Sequence, residues 1–505
     1  MMRDSIPGMG ALMVLVMVSA GLLLGCAGSP GGASNGLGEA DITPLLDREA
    51  RVSERVRAAE AVDARVEAGL MPVTDGRELL KKAAWDRRSP VLVRAAVLRS
   101  LAGDPGFEAD TRRMFELMLA TEVRLAGHAE IVGVMSEIVG ARGWGELSPA
   151  LVRSLSEPIE GVAVEERPEA MALARLFPER RLRETVWGVL TGEVRGTTGE
   201  ALAEAEMRAA WGVLAAITPS EEGLRSLVRS RSAGRVDGGL VSLLARAERE
   251  LRVLPRSAGE LAWLERLAAS HPGFWSEAAS AVSGLDAGAL SGLRLRHLPG
   301  IVYASRFDER ALSMSRAALL EGVSEAIGPR RGVWRSRARG AGPEGEALDG
   351  WRDELVWGDA LLLRIAAGLT ETADVEVRRA IAELGDRDMQ DTTTEHGGVL
   401  DADDAGRLVM YHYPPRPRDR VSDRRMVASS ALIEAGTTAL FHFHLHAQRY
   451  ENTPYAGPSA GDFAYARSHG RSCIVLTFID ENTLNVDYYQ PNGAVIDLGV
   501  IERPG

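Results

Sequence analysis

Three histidines alternate with apolar residues in Phe441-His442-Phe443-His444-Leu445-His446, and Asp462 follows the last of them by sixteen positions, in Ser459-Ala460-Gly461-Asp462. Alternate residues of a β-strand point to one side, about 7 Å apart along the backbone. His444 and His446 therefore present two imidazoles to one point, where they can share a metal ion. The Gly457-Pro458-Ser459 stretch reads as a turn opening a helix, which can carry Asp462 back to the same place. Two His nitrogens and one carboxylate oxygen leave a zinc ion an open fourth position, as catalytic zinc requires. His442 faces the same way, so His442 with His444 is the competing pair. His444 with His446 is preferred, because these two lie nearest the loop that leads to Asp462.

Each of these residues also has a plainer reading. Ser459 and Asp462 stand three apart, the spacing of a capping box at a helix start. Glu395, taken alone, is an exposed loop acid. Tyr450, Tyr455 and Arg449 read as loop packing and solvent contacts, and His396 and His469 as surface residues. His128, His271 and His297 are far from one another in the chain and read as surface or cap residues. Cys473, inside Ser472-Cys473-Ile474-Val475-Leu476-Thr477-Phe478, reads as a packed thiol in a buried strand.

The elements around these residues divide the chain. It has 505 residues, enough for two to four domains, and 45% of them are hydrophobic. The net charge of -12 argues against a general nucleic-acid binder, whose phosphate contacts need a basic surface. Residues 1–26 have the layout of a signal peptide: Arg3, an apolar run from Gly10 to Leu24, then small residues. Residues 27–40 are mostly Gly, Ser, Ala and Pro, a flexible tether. Residues 41–330 carry apolar residues at helical spacing, as in Val91 to Leu101 and Met207 to Ile217, with short Gly, Pro, Asp or Ser breaks. This predicts helical hairpins stacked in a row, with the mixed Arg and Glu on their solvated faces. A concave surface of that kind would suit a protein partner. Residues 331–385 read as a basic linker and two helices, at 352–369 and 374–385.

The composition then changes. All nine tryptophans precede residue 358, whereas six of nine histidines and seven of eight tyrosines follow residue 395. Residues 386–505 therefore read as a small α/β domain with a mixed sheet. The expected elements are two strands around a turn at 401–406, a helix from Arg424 to Ala435, a strand from Thr437 to His446, and a helix from Ser459 to Ser468. Strands at 472–479, 483–489 and 494–500 complete it, the last two joined by a turn at Pro491-Asn492-Gly493.

Two resemblances follow from these residues. Leu23-Leu24-Gly25-Cys26 resembles the bacterial lipobox. That resemblance implies lipidation of Cys26 and a protein anchored in the cell envelope, facing the periplasm or exterior. Glu395-His396-Gly397-Gly398, an intervening helix, His444-Leu445-His446 and Ser459-Ala460-Gly461-Asp462 together resemble the JAMM motif of the JAB/MPN zinc peptidases. That likeness covers about residues 390–500, and the helical region is weakly similar to HEAT-type repeats. It implies that His444, His446 and Asp462 bind Zn2+, that Glu395 deprotonates the zinc-bound water, and that Ser459 steadies the oxyanion. The chain departs from the family in two places: Ala447 stands where a proline is usual, and the loop before Asp462 is about five residues longer. The implied function is an envelope-anchored zinc hydrolase of peptide or isopeptide bonds, with a peptide or protein substrate. The alternatives are a non-catalytic MPN-like scaffold that binds a partner through its helices, and a lipoprotein that carries metal without hydrolysis.

Overall fold

The computed structural model describes residues 41–504, apart from 123–128, 160, 197–199, 233–238, 329–347, 372 and 374. The expected signal segment, the tether, Cys26, His128 and most of the basic linker lie outside the described residues. Among the described residues, no helix is long and apolar enough to cross a membrane.

From Thr43 to Gln390 every regular element described is helical. Proline opens several of these helices, in the first turn at Pro149, Pro168, Pro272 and Pro299, where its missing N–H costs nothing. The Val52–Glu67, Val91–Gly103, Ala129–Arg142 and Pro168–Leu176 helices pack each against the next in that order. The intervening Glu108–Glu122 and Ser148–Leu155 helices pack on one another beside them. The helical character of the region is as the spacing predicts.

The charged residues of this region correct one expectation, because several are not on the solvated face. Arg55, Arg94 and Arg167 are buried. Arg55 Nε donates to Leu45 O at 3.1 Å, Arg94 Nε to Ala84 O at 2.8 Å, and Arg167 Nη2 to Ser154 O at 3.0 Å. Each guanidinium thus takes a carbonyl that the end of a preceding helix leaves without an intrahelical partner. Buried Glu122 and Glu169 balance Arg94 and Arg167.

His297 is a cap residue, preceding the Leu298–Phe307 helix, but it is fully buried rather than on the surface. Its Nδ1 accepts from Arg294 N at 3.0 Å, so Nε2 carries the hydrogen and donates to Asp359 Oδ1 at 2.8 Å. Arg296 reaches the same carboxylate at 2.9 Å. This joins the Leu298–Phe307 helix to the Trp357–Glu371 helix. Gly358 lets them close: a Cβ there would lie 2.3 Å from the His297 ring. His271 is a cap residue, as expected, preceding the Pro272–Ser283 helix.

The C-terminal part is a six-stranded sheet of β1 (Gly397–Ala402), β2 (Leu408–His412), β3 (Phe441–His446), β4 (Cys473–Asp480), β5 (Thr483–Tyr489) and β6 (Val495–Glu502), in the order β2-β1-β3-β4-β5-β6. Only β3 and β4 pair in parallel, with the Ala460–His469 helix crossing between them. One face carries Phe441, Phe443, Leu445, Ile474, Leu476 and Phe478 into a core continuous with the Trp357–Glu371 and Val375–Gln390 helices. The other face holds a smaller cluster of Phe463, Ala466, Cys473, Val475 and Tyr489 under the crossover helix. Cys473 is a buried free thiol, as its strand context predicts.

The strands match expectation within a few residues, except that the third begins at Phe441 rather than Thr437. The expected Arg424–Ala435 helix is reduced to Ser430–Ala435. The backbone before it is drawn away from helical bonding to make contacts at the site described next.

Candidate metal centre

Antiparallel pairing sets Gly397 of β1 opposite His444 of β3, and His396 O accepts from Leu445 N at 3.0 Å just beyond. The same register carried two residues back along β1 places Glu395 beside His446 on the same face. Gly397 permits this close approach, since a Cβ there would meet Phe443 O at 2.3 Å and Met426 Sδ at 2.4 Å. At the C-terminal end of β3 the chain loops out and returns as the Ala460–His469 helix, with Asp462 in its first turn. His442, His444 and His446 line one cavity of about 770 Å³, together with Glu395, Ser459 and Asp462.

The side chains converge there. His444 Nε2 and His446 Nε2 face each other at 3.2 Å. Asp462 Oδ1 lies 3.2 Å from His444 Nε2, and Oδ2 lies 3.6 Å from His446 Nε2. Glu395 Oε1 stands 4.0 Å from His446 Nε2. Glu395, His444 and His446 are all buried and offer ligand atoms within 4.8 Å of one another. Donors about 2.0–2.1 Å from one tetrahedral ion lie about 3.3 Å apart, which is the spacing of the two imidazoles and Asp462. His442 takes no part in this group; its Nδ1 meets Tyr465 Oη at 2.6 Å.

A second layer orients these groups. His446 Nδ1 donates to Tyr455 O at 2.8 Å, which in the neutral ring leaves the Nε2 lone pair facing the centre. Asn452 Nδ2 donates to His446 O at 2.9 Å. The long loop is thereby folded back on His446, and Asp462 still reaches the histidines. Asp388, buried on the Val375–Gln390 helix, accepts from Ala447 N at 3.2 Å and also from His396 N. One carboxylate so pins the end of β3 to the start of β1. Gln448 Nε2 donates to Glu395 Oε1 at 3.2 Å, and Met426 N donates to the same carboxylate. Ser459 does cap the helix: Asp462 Oδ2 accepts from Ser459 N at 2.6 Å, and Ser459 Oγ accepts from Asp462 N at 3.4 Å. Its hydroxyl hydrogen is not used by that cap.

Burial and mutual charge set the protonation of the group. Burial would depress His444, but Asp462 beside it and Glu395 behind it raise it to about 9. Burial, then the neighbouring His444, lowers His446 to about 4. Burial pushes Glu395 up to about 8 and Asp388 up to about 7. Burial acts the same way on Asp462, but contact with His444 outweighs it and holds the carboxyl well below the usual range. A charged His444 opposite an ionised Asp462 is thus the arrangement when only protons are available. A divalent cation would displace protons from these donors.

The sequence reading places Glu395 and His396 on the surface when each is taken alone, and both are buried. His396 meets His412 Nε2 at 2.9 Å and Asp391 at 3.0 Å. Tyr450 packs edge-on against Phe478, as a loop-packing residue should. Asp388, Gln448, Asn452 and the Tyr455 carbonyl were not anticipated, since their partners are mostly backbone groups that leave no pattern in the sequence. No family model matches the chain, no curated protein is significantly similar to it, and no solved structure matches its fold.

Proposed function

We propose that the chain is a zinc-dependent hydrolase of peptide or isopeptide bonds, with a C-terminal domain of the JAB/MPN kind, anchored in the cell envelope through lipid on Cys26. The observation that carries this reading is the approach of two imidazole nitrogens and one carboxylate to within 3.2–3.6 Å of one another, with a buried glutamate at 4.0 Å. His444, His446 and Asp462 would hold the ion. When bound, zinc supplies a Lewis acid and a water of pKa lowered toward about 7.

The chain's own residues then divide the remaining work. Glu395 Oε1 accepts a proton from the water that attacks the substrate carbonyl, and returns it to the amine nitrogen as the C–N bond breaks. A buried carboxylate beside the ion, held by fixed donors, suits a group that must both take and give a proton. Gln448 and Met426 hold that carboxylate in place. The Ser459 hydroxyl, on the cavity wall, donates to the carbonyl oxygen as it gains charge, a contact worth roughly 3 kcal/mol when pre-positioned. Helices packing each on the next but one support a HEAT-like array, which in this proposal holds a protein partner or substrate.

The test compares zinc-loaded wild type with Glu395→Gln on a mixture of natural peptides, read by mass spectrometry. Cleavage by wild type, reduced at least a hundredfold in the variant at unchanged zinc content, is expected. Equal cleavage by both proteins would remove Glu395 from the reaction. No cleavage of any peptide or isopeptide-linked conjugate by a fully zinc-loaded wild type would leave a metal-carrying protein or a scaffold.

A further inference from the structure

Three arginines stand on the rim of the cavity and have no part in bond cleavage. Arg424, Arg425 and Arg449 are exposed residues of its lining. Among the described residues their guanidinium groups make no ion pair with a carboxylate, although the chain carries 71 acidic residues against 59 basic ones. Arg424 lies over the ring of Tyr455, 5.9 Å from its centre, on the same rim.

The backbone that carries them is fixed to the floor of the cavity. Asp423 O accepts from Gln448 Nε2 at 2.7 Å, Arg425 O accepts from Thr394 Oγ1 at 3.2 Å, and Met426 N donates to the Glu395 carboxylate. Arg424 and Arg425 therefore sit between three anchors. Arg449 directly follows Gln448, whose amide also holds Glu395 Oε1. One side chain thus joins both arginine-bearing segments to the proposed general base. This is also why the expected helix from Arg424 is absent: its first residues are spent on these contacts.

The geometry points to a substrate rich in carboxylates. An acidic peptide segment would meet the three guanidinium groups with its Asp or Glu side chains while its backbone carbonyl reaches the His444–His446–Asp462 floor. Planar, permanently charged guanidinium groups suit carboxylate oxygens through paired N–H donors. Anionic lipid is the other ligand such charges attract. The recessed floor, at the bottom of a cavity of about 770 Å³, favours an extended chain over a flat membrane. The inference rests on the hydrolytic reading for what happens to the peptide, though not for its capture.

Binding and cleavage are therefore measured separately. Zinc-loaded Glu395→Gln is titrated against three fluorescein-labelled peptides that differ only in four central Glu, Gln or Lys residues, with fluorescence anisotropy as the readout. The Glu peptide should bind about tenfold or more tighter than the Gln peptide at low salt, a margin that shrinks as salt screens the charges. The triple variant Arg424→Glu, Arg425→Glu, Arg449→Glu, made in the same background, should invert the order in favour of the Lys peptide. Its zinc content and circular dichroism should be unchanged, which separates lost recognition from lost folding. Equal affinity for the three peptides, or capture of phosphatidylglycerol vesicles with no preference among peptides, would overturn the inference. Preferential binding of the Glu peptide without its cleavage by wild type would support the inference and count against the hydrolase alone.

Discussion

Asp388 is a single side chain on which two strands depend. Its carboxylate accepts two backbone N–H groups, from His396 at the start of β1 and Ala447 at the end of β3. An amide of the same shape turns one of those acceptors into a donor facing a donor. Asp388→Asn is therefore expected to weaken zinc binding about 10–100-fold while leaving all of the proposed ligands in place. Competition against a chromophoric chelator measures this, and an unchanged Kd would mean that β1 and β3 hold their register without Asp388. Ser459 combines two roles at one residue. Ser459→Ala should cost about 1 kcal/mol of stability through the lost cap, and separately lower kcat. A variant that loses stability but keeps full kcat on a cleaved peptide would reduce Ser459 to its capping role.

At the scale of elements, the junction of the Leu298–Phe307 and Trp357–Glu371 helices is tight around His297. Gly358→Ala would drive a methyl group into a buried ring held at both nitrogens, so a loss of about 1–3 kcal/mol in denaturant unfolding is expected. A neutral result would mean that the two helices can separate without cost. The same ring gives a pH dependence. Burial lowers His297 to about 4, against about 6.5 in an unfolded chain. The contribution is complete above pH 6.5 and is lost as the pH falls toward 4, because the unfolded chain takes up the proton first. Its size is on the order of 3 kcal/mol. Unfolding free energies of wild type and His297→Gln, followed between pH 7 and 4, should converge toward the acid end, and parallel curves would contradict the assignment.

The same elements show what the sequence made legible. Period-two alternation located the strands, and the histidine triplet foretold that its rings would line one cavity, because a strand must place alternate residues together. The segment from Arg424 reads as a helix because its local composition suits one, but Asp423, Arg425 and Met426 give their backbone groups to Gln448, Thr394 and Glu395. Buried Arg55, Arg94 and Arg167 escaped notice for a related reason. Charge at helical spacing reads as solvated, and nothing in the spacing reveals a helix end waiting for a donor.

Over the whole molecule, the helical region and the sheet share one hydrophobic core and several cross-bonds. Trp263 Nε1 donates to Thr437 O at 2.8 Å, Tyr303 Oη to Gly406 O at 2.9 Å, and Thr370 Oγ1 to Leu498 O at 2.8 Å. A ligand bound only by the folded state stabilises whatever unfolds with its site. Chelation of zinc should therefore lower the Tm read from the helical circular dichroism signal, and not only that of the sheet. A helical transition indifferent to chelator would mean that the two parts unfold independently.

All of this depends on His444 and His446 of β3 and Asp462 of the crossover helix holding one metal ion beside Glu395. Elemental analysis of the purified protein after exhaustive dialysis tests it most directly. About one zinc per chain is expected for wild type and almost none for His446→Ala or His444→Ala, each folded by circular dichroism. Wild type that emerges without stoichiometric metal, and does not take up zinc when it is supplied, would contradict it.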